Sequence, residues 1–177
     1  MLKNINNQKG VTLLILVIMI IVMLIIAGIT IYSGTETIKR AGLENLKTNL
    51  LLIEAKTKEY VEEVSFKMGT KPDEAKRPEI RQEVYETEGK LVALSSASGD
   101  VQSAATAIGL TTSDACYYVP RVALDNMGLN QVEEGNGKFY LVKFDETNLS
   151  VEVYNTEGYD DNGTIKYSLT DIDAIEY

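Results

Sequence analysis

Two kinds of apolar spacing follow one another in the first part of the chain. From Val11 to Ile31 the sequence VTLLILVIMIIVMLIIAGITI is apolar at nearly every position, and no charged side chain lies between Lys9 and Glu36. Fifteen of these 21 residues are Leu, Ile or Val. At about 1.5 Å per residue a helix of this length spans ~31 Å, one hydrocarbon core. Transfer of the branched aliphatic side chains favours insertion by roughly 4–9 kcal/mol. A membrane helix is therefore predicted. A cleaved secretory signal would have a shorter core followed by a small-x-small site, and IYSGTETIKR offers only a poor one. The rest of the chain is too small and too polar to bury such a helix on all sides.

Beyond Glu36 the spacing changes. Leu43, Leu46, Leu50, Ile53, Thr57, Tyr60/Val61, Val64 and Met68 recur at intervals of three and four, with Lys47, Lys58, Glu59, Glu62 and Glu63 mostly off the stripe. That period predicts an amphipathic helix burying one face, with Gly69 as its stop. The Glu54/Lys58 pair at i,i+4 adds a little support.

After the helix the signals shorten. GTKPDEAKRP (69–78) carries two of the three prolines and reads as a loop. Short helices are predicted over Ile80–Glu88, Val101–Ile108 (ended by Gly109) and Val122–Met127 (closed by Gly128). The last third alternates as strands do: Lys138–Asp145, Leu149–Asn155 and Ile165–Leu169, with turns at Asn136-Gly137, Glu146-Thr147-Asn148 and Asp161-Asn162-Gly163. Asn-Gly steps favour the tight turns of hairpins. The predicted fold class is α+β, a long N-terminal helix packed on a small C-terminal antiparallel sheet.

Composition removes whole chemistries. The chain has no His, which excludes Ser-His-Asp, Cys-His and imidazole-metal sites. Its one Cys, Cys116, excludes an intrachain disulfide and multi-cysteine zinc sites, and is expected to be a small buried residue. The net charge of −9 argues against a sequence-independent grip on nucleic acid. Asp160-Asp161-Asn162-Gly163 lacks EF-hand spacing, since Ile165 sits where glycine is needed, and is read as a turn. Glu133-Glu134 and Asp171/Asp173 are read as solvated faces. No nucleophile, base and orienting group come together, so no enzyme, metal or cofactor is expected.

The junction at the start of the apolar run carries a sharper signal. MLKNINNQKG is polar, holds Lys3 and Lys9 without an acid, and passes directly into Val-Thr-Leu-Leu-Ile. This short basic leader ending in Gly resembles the type IV pilin family, which includes the pseudopilins of type II secretion and of competence systems. The likeness is specific over Lys9 to about Gly34. It implies a leader (1–10) recognised through Lys9 and Thr12 and removed by a prepilin peptidase between Gly10 and Val11. It also implies N-methylation of Val11, an assembly helix over 11–35 that includes Leu13, Leu14, Ile15 and Gly28, and an amphipathic extension over 36–69. A variable region (70–137) and C-terminal strands (138–177) would follow. The run GKFYLVKFDETNLSVEVYNTEGY also looks like the end of pilin-like proteins from Gram-positive bacteria.

One position departs from the pattern. The family usually has a glutamate five residues into the mature chain, and Ile15 stands there. In related filaments that carboxylate is thought to pair with a neighbour's N-terminal amine, which sets register inside an apolar bundle. Two readings of Ile15 stand side by side: a minor subunit at the filament tip, and a branch that assembles by packing alone. Gly28 likewise fits either local unwinding or close helix packing.

The function implied is a type IV pilus or secretion-pseudopilus subunit. Its partners would be the prepilin peptidase, other pilin-like subunits, an assembly platform protein and the membrane. The N-terminus would be cytoplasmic and residues from Glu36 onward outside, the chain spanning the cell membrane once before assembly and lying in a surface filament afterwards. The alternative is a signal-anchored extracellular binding module that keeps its leader and never polymerises.

Overall fold

The computed structural model describes residues 5–70, 73–112 and 115–175, with side chains described outside 5–14 and 25–36. The chain divides into two units, Met1–Glu44 and Asn45–Tyr177. One helix, α1 (Ile5–Met68), runs through the first unit and into the second. It ends where the sequence provides a residue free of a Cβ: Gly69 takes φ +69°, and its N–H donates back to the Ser65 and Phe66 carbonyls.

The second unit is α+β. Its sheet is an antiparallel five-stranded meander: β1 (Val92–Ala93), β2 (Cys116–Tyr118), β3 (Tyr140–Asp145), β4 (Ser150–Asp161) and β5 (Thr164–Ser168). Short helices lie between these elements, α2 (Arg77–Arg81), continued by a π-helical stretch Gln82–Glu88, then α3 (Gly99–Ala107) and α4 (Arg121–Asn126), and α5 (Leu169–Asp173) follows the last strand.

The predicted stripe is the buried face of α1 in this unit. Leu50, Ile53, Thr57, Val61 and Val64 are each fully buried. Thr57 is tolerated there because its hydroxyl donates to the Ile53 carbonyl at 2.7 Å, so no polar atom is stranded. Asn49 hydrogen bonds the buried Tyr140 on β3, and Lys47 pairs with Asp173 of α5 at 2.8 Å.

Burial on both faces explains the middle strand. Paired residues of neighbouring antiparallel strands share a face, so Tyr117, Val142 and Val153 lie together, as do Tyr118, Leu141 and Tyr154. Leu141 and Cys116 pack with Leu94, Val101, Ala105 and Leu110, which places α3 and its flanks on that side. On the opposite side Phe144 stacks on Tyr85 of the π-helical stretch, centroids 4.1 Å apart.

The π-helical stretch has an electrostatic consequence. Glu83 and Glu88 are five residues apart, the spacing of π-helical hydrogen bonds, and both reach Lys67 of α1, at 3.1 and 3.2 Å. Gly89 closes the stretch in a space where a Cβ would lie 2.9 Å from both the Tyr60 ring and the Tyr85 carbonyl oxygen.

Several expectations are corrected. The 70–137 region is not only loops and short helices, because β1 and β2 come from it and complete the sheet. The strand expected over Leu149–Asn155 continues to Asp161. Asn155 Oδ1 accepts from the Glu157 and Gly158 N–H groups, both at 3.0 Å, and Gly158 takes φ +67°. That makes a bulge, so the strand bends where its alternation lapses. Leu169, expected to end a strand, begins α5, with Ser168 as its N-cap accepting from the Asp171 N–H at 3.1 Å. The predicted 138–177 strand block therefore ends in a helix.

Candidate functional site

The residues singled out by sequence concentrate in the first unit. Lys9, Gly10, Val11, Thr12, Leu13, Leu14 and Gly28 lie outside the residues whose side chains are described. Ile15 is described, and it opens a helical segment with an unusual surface. Every residue from Ile15 to Leu24 is large and apolar, and each is 45–67% exposed. Consecutive positions point in different directions around a helix, 3.6 to the turn, so the segment is apolar all round. A helix of that kind is stable only when a bilayer or other apolar helices surround it. Among the described residues no helix is long and apolar enough to cross a membrane. Of the run Val11–Ile31, only residues 15–24 have described side chains.

The second unit holds a polar site the sequence did not reveal. Glu146 begins the turn between β3 and β4, its side chain 7% exposed. Arg81 donates to it through Nε at 2.6 Å and Nη2 at 3.0 Å, Arg77 pairs with it, and the Tyr85 hydroxyl donates at 3.1 Å. Arg77 also binds Glu74, both contacts at 2.7 Å. Burial pushes the Glu146 carboxyl up, but the two guanidiniums outweigh it and hold it below the usual glutamate range. Burial, reinforced by Glu146, raises the Tyr85 phenol, and burial with Glu86 nearby pushes Tyr117 up to about 12.

Local chemistry aims that carboxylate. Asp145 Oδ1 accepts from the Thr147 and Asn148 N–H groups at 3.0 Å, and Asn148 Nδ2 donates to Oδ2 at 2.7 Å. Leu149 completes the turn at φ +50°, a conformation rare for a branched side chain. The turn borders an open groove of about 1000 Å³ lined by both signs of charge, including Arg77, Arg81, Lys143, Glu74, Asp145 and Glu152. Because both guanidiniums already bind carboxylates, the groove is a neutralised clamp joining α2 to the β3–β4 turn.

The sequence placed Glu146 in a turn but held no sign of its partners. Arg77 and Arg81 are 69 and 65 positions away, in a stretch read as a loop and the start of a short helix. Periodicity does not report such pairings.

The remaining candidates resolve simply. Cys116 is a buried thiol that forms no disulfide among the described residues. Asn162-Gly163 is the β4–β5 turn, with the Gly163 N–H donating to Asp160 Oδ1 at 2.7 Å. Among the described residues no cluster of three or more acidic or thiol side chains is placed to hold a metal ion. Glu134, expected on a solvated face, instead accepts from the Tyr118 hydroxyl, and burial raises its carboxyl. Asp173, read the same way, pairs with Lys47. The chain matches no protein-family profile, no curated protein sequence and no solved structure.

Proposed function

We propose that the chain is a pilin-like filament subunit, matured at Gly10–Val11 and assembled through its apolar N-terminal helix. The observation that carries this reading is the junction itself. A short leader with Lys3 and Lys9 and no acid ends in glycine, and 21 uncharged residues follow without a break. The leader's charge suits the cytoplasmic side of a membrane, where a peptidase can remove it while the apolar helix stays attached to the exported part.

Two features of the fold support the reading. The exposed, all-round apolar segment 15–24 has a use only in lipid or among like helices. The other end of α1 is built into an α+β unit with its own buried core, a self-contained head for such a helix to carry. Ile15 leaves the Val11 amine without an acidic partner from an identical chain at that position, which favours a minor subunit beside an abundant one of different sequence.

The test is co-expression with a prepilin peptidase and the corresponding assembly proteins. The mature chain is expected in filaments sheared from the cell surface. A Gly10→Val variant is expected to stay in the membrane fraction at full length. Recovery of that unprocessed variant in filaments at wild-type level would overturn the proposal.

A further inference from the structure

The chain contains two Asn-Gly steps, Asn136-Gly137 and Asn162-Gly163, and both sit in two-residue turns with positive φ at both central positions. Asn136 has φ +54° and Gly137 φ +87°; Asn162 has φ +52° and Gly163 φ +91°. The first turn is closed by two hydrogen bonds between Gly135 and Lys138, at 2.8 and 3.0 Å. The second closes the β4–β5 hairpin. In sequence and backbone shape the two are near duplicates.

Their nitrogen atoms are not equivalent. The Gly163 N–H donates to the Asp160 carboxylate at 2.7 Å, and Asn162 Nδ2 donates to Asp161 Oδ1 at 3.1 Å. Among the described residues the Gly137 N–H has no acceptor and the Asn136 side chain has no partner. Asn136 lines an open groove of about 560 Å³ shared with Arg121, Lys138, Glu133, Glu134 and Glu157, so water reaches it.

We propose that Asn136 is a site of spontaneous covalent modification, converted by its own backbone to aspartate and isoaspartate, while Asn162 is protected. The Gly137 nitrogen attacks Asn136 Cγ. The N–Cγ bond forms as the Cγ–Nδ2 bond breaks, the Gly137 amide proton passes to solvent, and Nδ2 takes a proton back from solvent and leaves as ammonia. Water then opens the five-membered imide at either carbonyl, giving aspartate or the β-linked isomer. Glycine at the following position removes the Cβ that would obstruct ring closure.

At Asn162 two effects oppose the same step. The Asp160 carboxylate holds the N–H in a charge-assisted bond that must break before attack. Its negative charge also disfavours the anionic nitrogen that forms when the proton leaves. At Asn136 the groove carries both signs of charge, Arg121 and Lys138 against Glu133, Glu134 and Glu157, and none of these carboxylates holds the Gly137 N–H. The product adds a negative charge beside Glu133, Glu134 and Glu157. The β-linked form also inserts a carbon into the backbone between the two Gly135–Lys138 bonds. The turn that leads into β3 is therefore the place where age marks this chain.

The test follows both sites in one sample. The purified full chain in detergent is held at mildly alkaline pH, digested with trypsin, and the peptides 122–138 and 144–166 are scored for amide-to-acid conversion and isoaspartate. Asn136 is expected to convert about tenfold faster than Asn162, the ratio one charge-assisted hydrogen bond implies. In denaturant the two rates are expected to converge. An Asp160→Ala variant is expected to raise the Asn162 rate towards that of Asn136 and leave Asn136 unchanged. Equal rates in the folded chain, a ratio that persists in denaturant, or an Asn162 rate indifferent to Asp160→Ala would each overturn the proposal.

Discussion

The two halves of α1 use the same kinds of residue for opposite ends. Between Leu50 and Val64 the buried apolar positions repeat at three and four, and most of the intervening positions are charged. Between Ile15 and Leu24 the apolar residues are uninterrupted and none is buried. A stripe specifies one packing partner in one orientation, whereas an all-round surface specifies a medium. The first half is stable within a single chain; the second needs something outside it. Even the stripe's half keeps apolar residues on its outer side, since Leu51, Leu52 and Phe66 are 42%, 37% and 85% exposed.

That contrast breaks most sharply under truncation. Leu50→Ala or Ile53→Ala is expected to cost the head about 2–5 kcal/mol in urea unfolding, because each empties a fully buried position. Ile20→Ala, in the exposed run, is expected to change the head's stability by less than about 0.5 kcal/mol. Equal losses would mean that the exposed run contributes to the head's core.

The next largest effect separates an ion cluster from apolar packing. Glu146→Gln removes the charge that Arg77 and Arg81 neutralise and is expected to cost about 1–3 kcal/mol. The sign of the pH dependence follows from the depressed carboxyl. Its stabilisation is fully present above the unfolded glutamate value of about 4.3 and is lost as pH falls through the lower folded value. Wild type should therefore lose its advantage over Glu146→Gln on acidification below about pH 4, as read by parallel unfolding curves. A difference that stays constant to low pH would show that Glu146 acts without its charge.

Two glycines of the β4–β5 hairpin share the same sign of φ but differ in their surroundings. A Cβ on Gly158 would lie 2.6 Å from Ile165 Cγ2 and 2.7 Å from Tyr167 Cδ1, whereas one on Gly163 would meet nothing within 4 Å. Gly158→Ala is expected to cost about 1–3 kcal/mol through strain and displaced neighbours. Gly163→Ala is expected to cost ~1 kcal/mol through φ alone. The smallest effect is at the C-terminal helix. Ser168→Ala removes the N-cap of α5 and is expected to cost ~1 kcal/mol, read by amide exchange over Leu169–Asp173.

What the sequence displayed and what it concealed divide along the range of the interactions. The α1 stripe, the Gly69 stop, α3, α4 and the strand cores follow from local period and turn residues, and they were legible to within a few positions. The two short strands were not, because Val92–Ala93 and Cys116–Tyr118 are too brief to show a period. Asn155 and Gly158 looked like a strand end because a bulge interrupts alternation just as an end does. The Glu146 cluster was invisible for a different reason: its partners meet only through the fold. The leader junction is read from the sequence alone, where charge, glycine and apolar run are contiguous.

Maturation at Gly10–Val11 would be read directly from the N-terminus of the protein. The chain would be made in a cell with its prepilin peptidase and examined by intact-mass and peptide mass spectrometry. The expected product is a chain that begins at methylated Val11. A chain that still begins at Met1, while the same peptidase processes another substrate, would contradict it and leave a signal-anchored surface module in its place.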